Sequence, residues 1–215
     1  MATYGESSSL IKQFPIFQVK EIVQLILQSW QTFTTTLKFE DKITNKFYAH
    51  LIENKDRSKC FFAIEARPAE IDELGNEIGE IDLKFIYQNQ EKVYFSFECK
   101  RLRVNSSRRF YTLAGKYVTE GMRRYFNGQY AKNLDKGGML GYVMDGNTNQ
   151  AINDVQNAIE SKRSELYMKD NETIKSSSCF NSRQVKETSH HRPSGRFTIY
   201  HIFLPIISIS DSYKN

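Results

Sequence analysis

The chain has 215 residues, 40% of them hydrophobic and 13% aromatic, enough to bury one well-formed core, so a single domain over residues 1–215 is expected. A formal net charge of +5 with a pI near 9.0 suits a polyanion or an acidic surface without choosing between them. Three cysteines, Cys60, Cys99 and Cys179, are an odd number without CxxC spacing, which argues against a disulfide framework and a cysteine zinc site and points to a reducing compartment. The amino terminus, MATYGESSSL, has neither the basic segment nor the apolar run of a secretory signal. The apolar stretch from Phe197 to Ile207 is broken by His201 and Pro205 and is well short of the roughly 20 residues of a membrane-spanning helix. A cytoplasmic protein without membrane contact is expected.

In chain order, residues 17–33 carry Val19, Ile22, Val23, Ile26, Leu27 and Trp30 at helical spacing, and predict an amphipathic helix within an N-terminal extension of residues 1–39. A second helix begins at Glu40 and Asp41, whose charges suit a helix N-terminus, and places Ile43, Phe47, Leu51 and Ile52 on one face. Residues 60–72 predict a strand at a sheet edge or with a bend, because of Pro68. GEIDLKFIY and KVYFSFECK alternate apolar and polar residues around a short polar turn and predict a β-hairpin. A basic, hydroxyl-rich loop, RLRVNSSRR, comes next. LAGKYVTEGMRRYFNGQYAK has a helical period with Tyr117, Met122, Tyr125 and Phe126 near one side. KGGMLGYVMDG reads as a buried strand of small residues, and NTNQAINDVQNAIESKR as a capped helix. Residues 170–193, rich in Ser, Asn and Lys, predict a loop, and GRFTIYHIFLPIISI a final strand.

The hairpin carries the chemistry. If its loop is 89–91 or 88–92, Asp82 stands directly opposite Glu98, on the second face of the strand FSFECK together with Lys100. Facing positions bring Cβ atoms within roughly 5 Å, where like charges repel. A divalent cation between them would relieve this. Mg²⁺, or Mn²⁺, takes oxygen ligands from one or two carboxylates and accepts phosphate oxygens. Such an ion can polarise a phosphodiester and activate a water, with Lys100 placed to orient that water or to stabilise charge in the transition state.

An aspartate opening one strand, Asp82 in GEIDLKF, followed by Glu-x-Lys on the next, Glu98-Cys99-Lys100 in FSFECKRL, resembles the PD-(D/E)XK nuclease superfamily. The family's proline before the aspartate is replaced by Ile81. The resemblance spans residues 40–146 as a catalytic core, followed by a C-terminal helix, flexible loop and final strand in 147–215. It implies an α/β restriction-endonuclease-like fold, a mixed central sheet flanked by helices in the order helix, three strands, helix, strand. Tyr117 to Gly146 looks similar to the matching part of defence-associated members. The implied activity is Mg²⁺- or Mn²⁺-dependent hydrolysis of phosphodiester bonds in DNA rather than RNA, in a restriction or anti-phage setting, with Asp82, Glu98 and the backbone carbonyl of Cys99 as metal ligands. The resemblance also implies a further acidic residue from the leading helix; Glu40 is nearest, with Asp41 and Glu21 as rivals.

Arg101, Arg103, Arg108 and Arg109 read either as a solvated loop or as clamps on a nucleic-acid backbone. On the following helix, Lys116 and Arg123 are the expected phosphate contacts, ahead of Arg124. His190 and His191 lack a third ligand at zinc spacing and suit a phosphate or partner contact better, while His201 reads as a satisfied core histidine. Two rival functions remain: a nucleic-acid-binding module that does not cut, and an interaction subunit of a larger complex. A partner protein or a second copy of the chain is expected to set target choice or activation.

Overall fold

The computed structural model describes residues 14–56, 62–71, 74–87, 92–106 and 109–206. Helix α1, Ile16–Thr32, buries Val19, Ile22, Val23, Ile26 and Trp30, the stripe that the helical spacing marks out. Helix α2, Glu40–Asn54, buries Ile43, Phe47 and Leu51 and keeps Glu40 and Asp41 in its first turn. The strand expected over 60–72 is broken. Strand β1 is Phe62–Ala66; Arg67 then takes a left-handed φ of 56° before Pro68, and β2, Ala69–Ile71, turns away to pair with β3, Glu77–Glu80, in a small separate ribbon. Proline cannot donate to a ladder, so the chain leaves the sheet there.

Strands β4, Leu83–Tyr87, and β5, Tyr94–Leu102, form the expected antiparallel pair, with Leu83 opposite Phe97 and Lys84 opposite Ser96. The run GEIDLKFIY is nevertheless two strands, β3 and β4. Ile81 and Asp82 lie in the break between them, so Asp82 stands one residue outside the ladder. The basic segment expected as a loop holds a second small ribbon, β6, Val104–Ser106, paired with β7, Arg109–Tyr111. The next helix is composite: α3, Ala114–Lys116, continues into a π turn, Tyr117–Gly121, and a 3-10 turn, Met122–Tyr125. Strand β8, Lys136–Val143, runs parallel to β5, and α4, Thr148–Glu160, is capped by the Asn147 side chain, which accepts from the Gln150 N–H.

The loop expected over 170–193 contains two strands, β9, Lys175–Ser176, and β10, Val185–Arg192, which pair with each other; β10 also pairs with the final strand β11, Gly195–Pro205. Polarity concealed β10. Its sequence VKETSHHR buries Thr188, Ser189, His190 and Arg192, and most of their polar atoms find partners: Thr188 and His190 in a side-chain chain, the terminal nitrogens of the Arg192 guanidinium on the carbonyls of Tyr125, Ala131 and Leu134, with only Nε of that group left unpaired. Hydrogen-bonded polar side chains can fill a core position that composition alone assigns to solvent.

The central sheet has the order β1-β4-β5-β8-β11-β10-β9, parallel across β5, β8 and β11 and antiparallel outside them. The protein is therefore α/β, with a mixed sheet covered on both faces. One face carries α1 and α2 over Phe85, Phe95, Phe97, Leu140 and Tyr142; the other carries the composite helix and α4 over Ile86, Met139, Val143, Ile199 and Phe203. Gly138 in β8 makes the first layer possible, since a Cβ there would come within 2.2 Å of the Phe97 ring. Strand β5 is thus buried among helices, and its two charged inward positions, Glu98 and Lys100, lie under the composite helix.

Candidate active site

Glu98 is 0% exposed, and among the described residues it is one of only two fully or nearly buried carboxylates, the other being Glu187. Burying an ionised carboxylate is costly unless it is paired. Two cations meet it: Lys100 Nζ lies 2.6 Å from Oε1, and Arg124 Nη1 lies 3.1 Å from Oε2. They do not fully offset burial. Desolvation, reinforced by the nearby Asp82 charge, lifts the Glu98 carboxyl to about 7 against the opposing pull of Lys100 and Arg124. The Asp82 carboxyl is raised by burial as well, with Lys100 and the Cys99 N–H acting the other way.

Asp82 is fixed by the backbone around it. The Arg67 N–H donates to its carbonyl (3.2 Å), and the Cys99 N–H donates to its Oδ2 (2.7 Å). The carboxylate therefore turns to the β5 backbone beside Glu98 rather than standing as a ladder partner. What separates the like charges here is Lys100 with Arg124.

Lys100 is the hub. Its Nζ donates to Glu98 Oε1, to the Cys99 carbonyl (2.8 Å) and to Glu40 Oε1 (3.1 Å). Burial lowers the affinity of this amine for its proton, but Glu98, Glu40 and Asp82 more than reverse that and hold it above its ordinary value. Glu40, the first residue of α2, closes the end of β5 by accepting the Arg101 N–H at 2.8 Å. The rivals lie elsewhere: Asp41 pairs with Arg67 (3.3 Å), and Glu21 accepts from Gln18 within α1.

A cleft of about 360 Å³ opens beside this cluster, lined by Glu40, Lys100, Arg101, Leu113, Lys116, Glu120 and Arg124. Four of the seven residues are cationic, so the cleft suits an anionic ligand. Arg101 anchors to the Lys38 carbonyl, and its Nε is buried without a partner. Lys116 is exposed and within 3.3 Å of Glu120.

The remaining basic residues divide. Arg103 is held by structure, its guanidinium meeting Asp145 (2.8 Å) and Asp154 (2.7 Å). Arg109 is exposed, and Arg108 lies outside the described residues. Arg123 sits opposite Glu165 at 3.6 Å on the surface, while its neighbour Arg124 enters the site, reversing the order expected for the pair. The sequence held a signal for Arg124: it follows Tyr117 by seven residues and Gly121 by three, so it shares their helix face. Gly121 brings that face close, since a Cβ there would stand 3.5 Å from Lys100 Cγ, 3.6 Å from Glu98 Cγ and 2.5 Å from Met139 Cε.

The histidines are held internally. His201 lies between Tyr117 Oη (3.0 Å) and Thr188 Oγ1 (2.9 Å), His190 between Thr188 Oγ1 (2.7 Å) and the Leu166 carbonyl (2.7 Å), and His191 beside Glu172 (2.8 Å). His190 is thus buried between protein partners, whereas His191 pairs with Glu172 through Nε2 and stays partly exposed.

Among the described residues no three acidic, histidine or cysteine side chains form a metal-ligating group, and no helix is long and apolar enough to cross a membrane. No family model matches the chain, and neither the curated proteins nor the solved structures contain a match to it.

Proposed function

We propose that the chain is a metal-dependent nuclease of the PD-(D/E)XK type, cutting DNA in preference to RNA, with Asp82, Glu98, Lys100 and Glu40 as its working residues. The observation that carries this reading is the cluster of the fully buried Glu98 with Asp82, Lys100 and Glu40 beside a cationic cleft that Lys100 and Glu40 line. The donor set fits a hard cation. Oxygens of Glu98, Cys99 and Glu40 converge within 3.1 Å of one ammonium nitrogen, with the Asp82 charge close by. Two carboxylates and a carbonyl, completed by water and phosphate oxygens, suffice for Mg²⁺. When bound, the cation supplies polarisation of the scissile phosphodiester and activation of water.

The protein groups do the rest. Asp82 is held in place by the Cys99 N–H, and Arg124 balances the outer oxygen of Glu98. Lys100, released from the oxygen cluster, is within reach of the cleft, where it can orient water and stabilise charge on the phosphoryl oxygens. Arg101 and Lys116 line the same cleft and can hold flanking phosphates. The resemblance places this activity in a restriction or anti-phage setting.

The same hub favours a second reading, since Lys100 already fills the place a cation would take: a nucleic-acid-binding module that does not cut. Mn²⁺ titration followed by calorimetry separates the two, together with cleavage of plasmid and oligonucleotide substrates in Mg²⁺, Mn²⁺ and chelator. The nuclease reading expects Mn²⁺ binding that Glu98→Ala abolishes, and cleavage that stops in chelator. Robust cleavage in chelator, or nucleic-acid binding without any metal binding, would overturn it.

A further inference from the structure

The ribbon β6–β7 follows the end of β5, and Arg101 and Leu113, three residues before it and two after it, line the cleft. It therefore rises from the rim of the site. Its base is fixed with unusual care. Arg103 takes a left-handed φ of 56°, its N–H donates to the Thr112 carbonyl (2.9 Å), and its guanidinium is held by Asp145 and Asp154. The outer part is different. Phe110 is 46% exposed and Tyr111 45%, on a strand that begins with the exposed Arg109; strand alternation puts Arg109 and Tyr111 on one face of the ribbon and Phe110 on the other. One face of Phe110 is covered by the Arg103 guanidinium at 4.8 Å. An exposed aromatic, Tyr111, and an exposed cation, Arg109, on one face of an anchored ribbon suit a flat anionic partner.

We infer that this ribbon is a stacking platform for unpaired bases next to the phosphate held in the cleft, so that the substrate is single-stranded or branched nucleic acid rather than intact duplex. The inference rests on the nuclease reading and names the substrate form that the site takes. Charge complementarity points the ribbon at nucleic acid: the ribbon carries the exposed Arg109, and the cleft is lined by Arg101, Lys116 and Arg124. The aromatics choose the strand form. Bases inside a duplex cover each other's faces, whereas an unpaired base offers a π-face to Phe or Tyr. A stacking side chain such as Tyr111 contributes little to a duplex backbone contact, which needs cations and amide donors.

The test is fluorescence anisotropy in chelator, with labelled oligothymidylate and a blunt duplex of equal length as probes. Wild type is expected to bind the single strand about 10-fold more tightly than the duplex. Tyr111→Ala should weaken single-strand binding by about 10-fold and leave duplex binding unchanged, and Tyr111→Trp should restore it. Arg109→Ala should weaken both forms alike, as loss of a phosphate contact does. The exposed position of Tyr111 makes an unchanged melting temperature the companion control. Equal loss on both probes, or no loss on either, overturns the stacking platform while the cleavage and metal titrations above still stand. A wild type that binds neither probe at low salt overturns both readings.

Discussion

At the residue scale, Glu98 sets the behaviour of the site. Its folded carboxyl, lifted to about 7, binds a proton between pH 4.5 and 7 that the unfolded chain has already released. Over that window the folded state holds more protons, so this group's contribution to stability declines as pH rises. The metal-free wild type should lose melting temperature between pH 5 and 8 from this source, and Glu98→Gln should remove that component; parallel melting curves for the two proteins would show the carboxyl to be unimportant. A bound cation competes with the same proton, so metal affinity should strengthen with pH through 7. The arginine pair gives a second comparison. Arg124 is 32% exposed and leaves a buried carboxylate underpaired when truncated, with Lys100 still present, so Arg124→Ala should cost about 1–2 kcal/mol. Arg123→Ala removes only a surface contact at 3.6 Å and should cost less than about 0.5 kcal/mol. Urea denaturation of both variants decides it: equal costs would mean that Arg124 does not stabilise Glu98.

At the element scale, β10 and β11 are joined to the composite helix by one chain of hydrogen bonds. The Leu166 carbonyl can only accept, so His190 donates from Nδ1 and accepts at Nε2 from Thr188; Thr188 then accepts from His201 Nε2, and Tyr117 donates to His201 Nδ1. Every member is satisfied with both imidazoles neutral. Burial holds His190 down at about 4 and His201 at about 3, against 6.5 when unfolded. Stability from this pair is therefore full above pH 6.5 and is lost as pH falls from 6.5 toward 4 for His190 and toward 3 for His201, opposite in sign to the Glu98 effect. Thr188→Val leaves one buried acceptor and one buried donor without partners and should cost about 2–4 kcal/mol by urea denaturation at pH 7.5. A cost under about 0.5 kcal/mol would show that the chain of bonds carries no weight.

At the scale of the whole molecule, a net charge of +5 acquires a direction only through the fold, which gathers Lys100, Arg101, Lys116 and Arg124 around one cleft. Nucleic-acid affinity should fall steeply with salt, and Lys116→Ala should lower the slope of log affinity against log salt by about one phosphate contact. An unchanged slope would place the nucleic acid elsewhere. The sequence by itself determined the helices α1 and α2, the hairpin of β4 with β5, and the placement of Glu98 and Lys100 on one strand face, because each rests on a short-range period of 3.6 or 2 that neighbouring residues fix together, while the register of the hairpin followed only for an assumed loop length. Only the tertiary structure decided three further matters. It brought Glu40 rather than Asp41 or Glu21 to Lys100, because that choice depends on how α2 crosses the end of β5. It turned Arg124 inward and Arg123 outward, because Gly121 lets the π turn settle against Glu98 and Lys100. It made a strand of VKETSHHR, whose polar side chains carry no apolar period and become core residues only when Tyr117, His201 and the carbonyls of distant segments supply their hydrogen bonds. Local order follows from local pattern, whereas a buried charge or a buried polar strand is stabilised by partners far along the chain, and no local pattern names them.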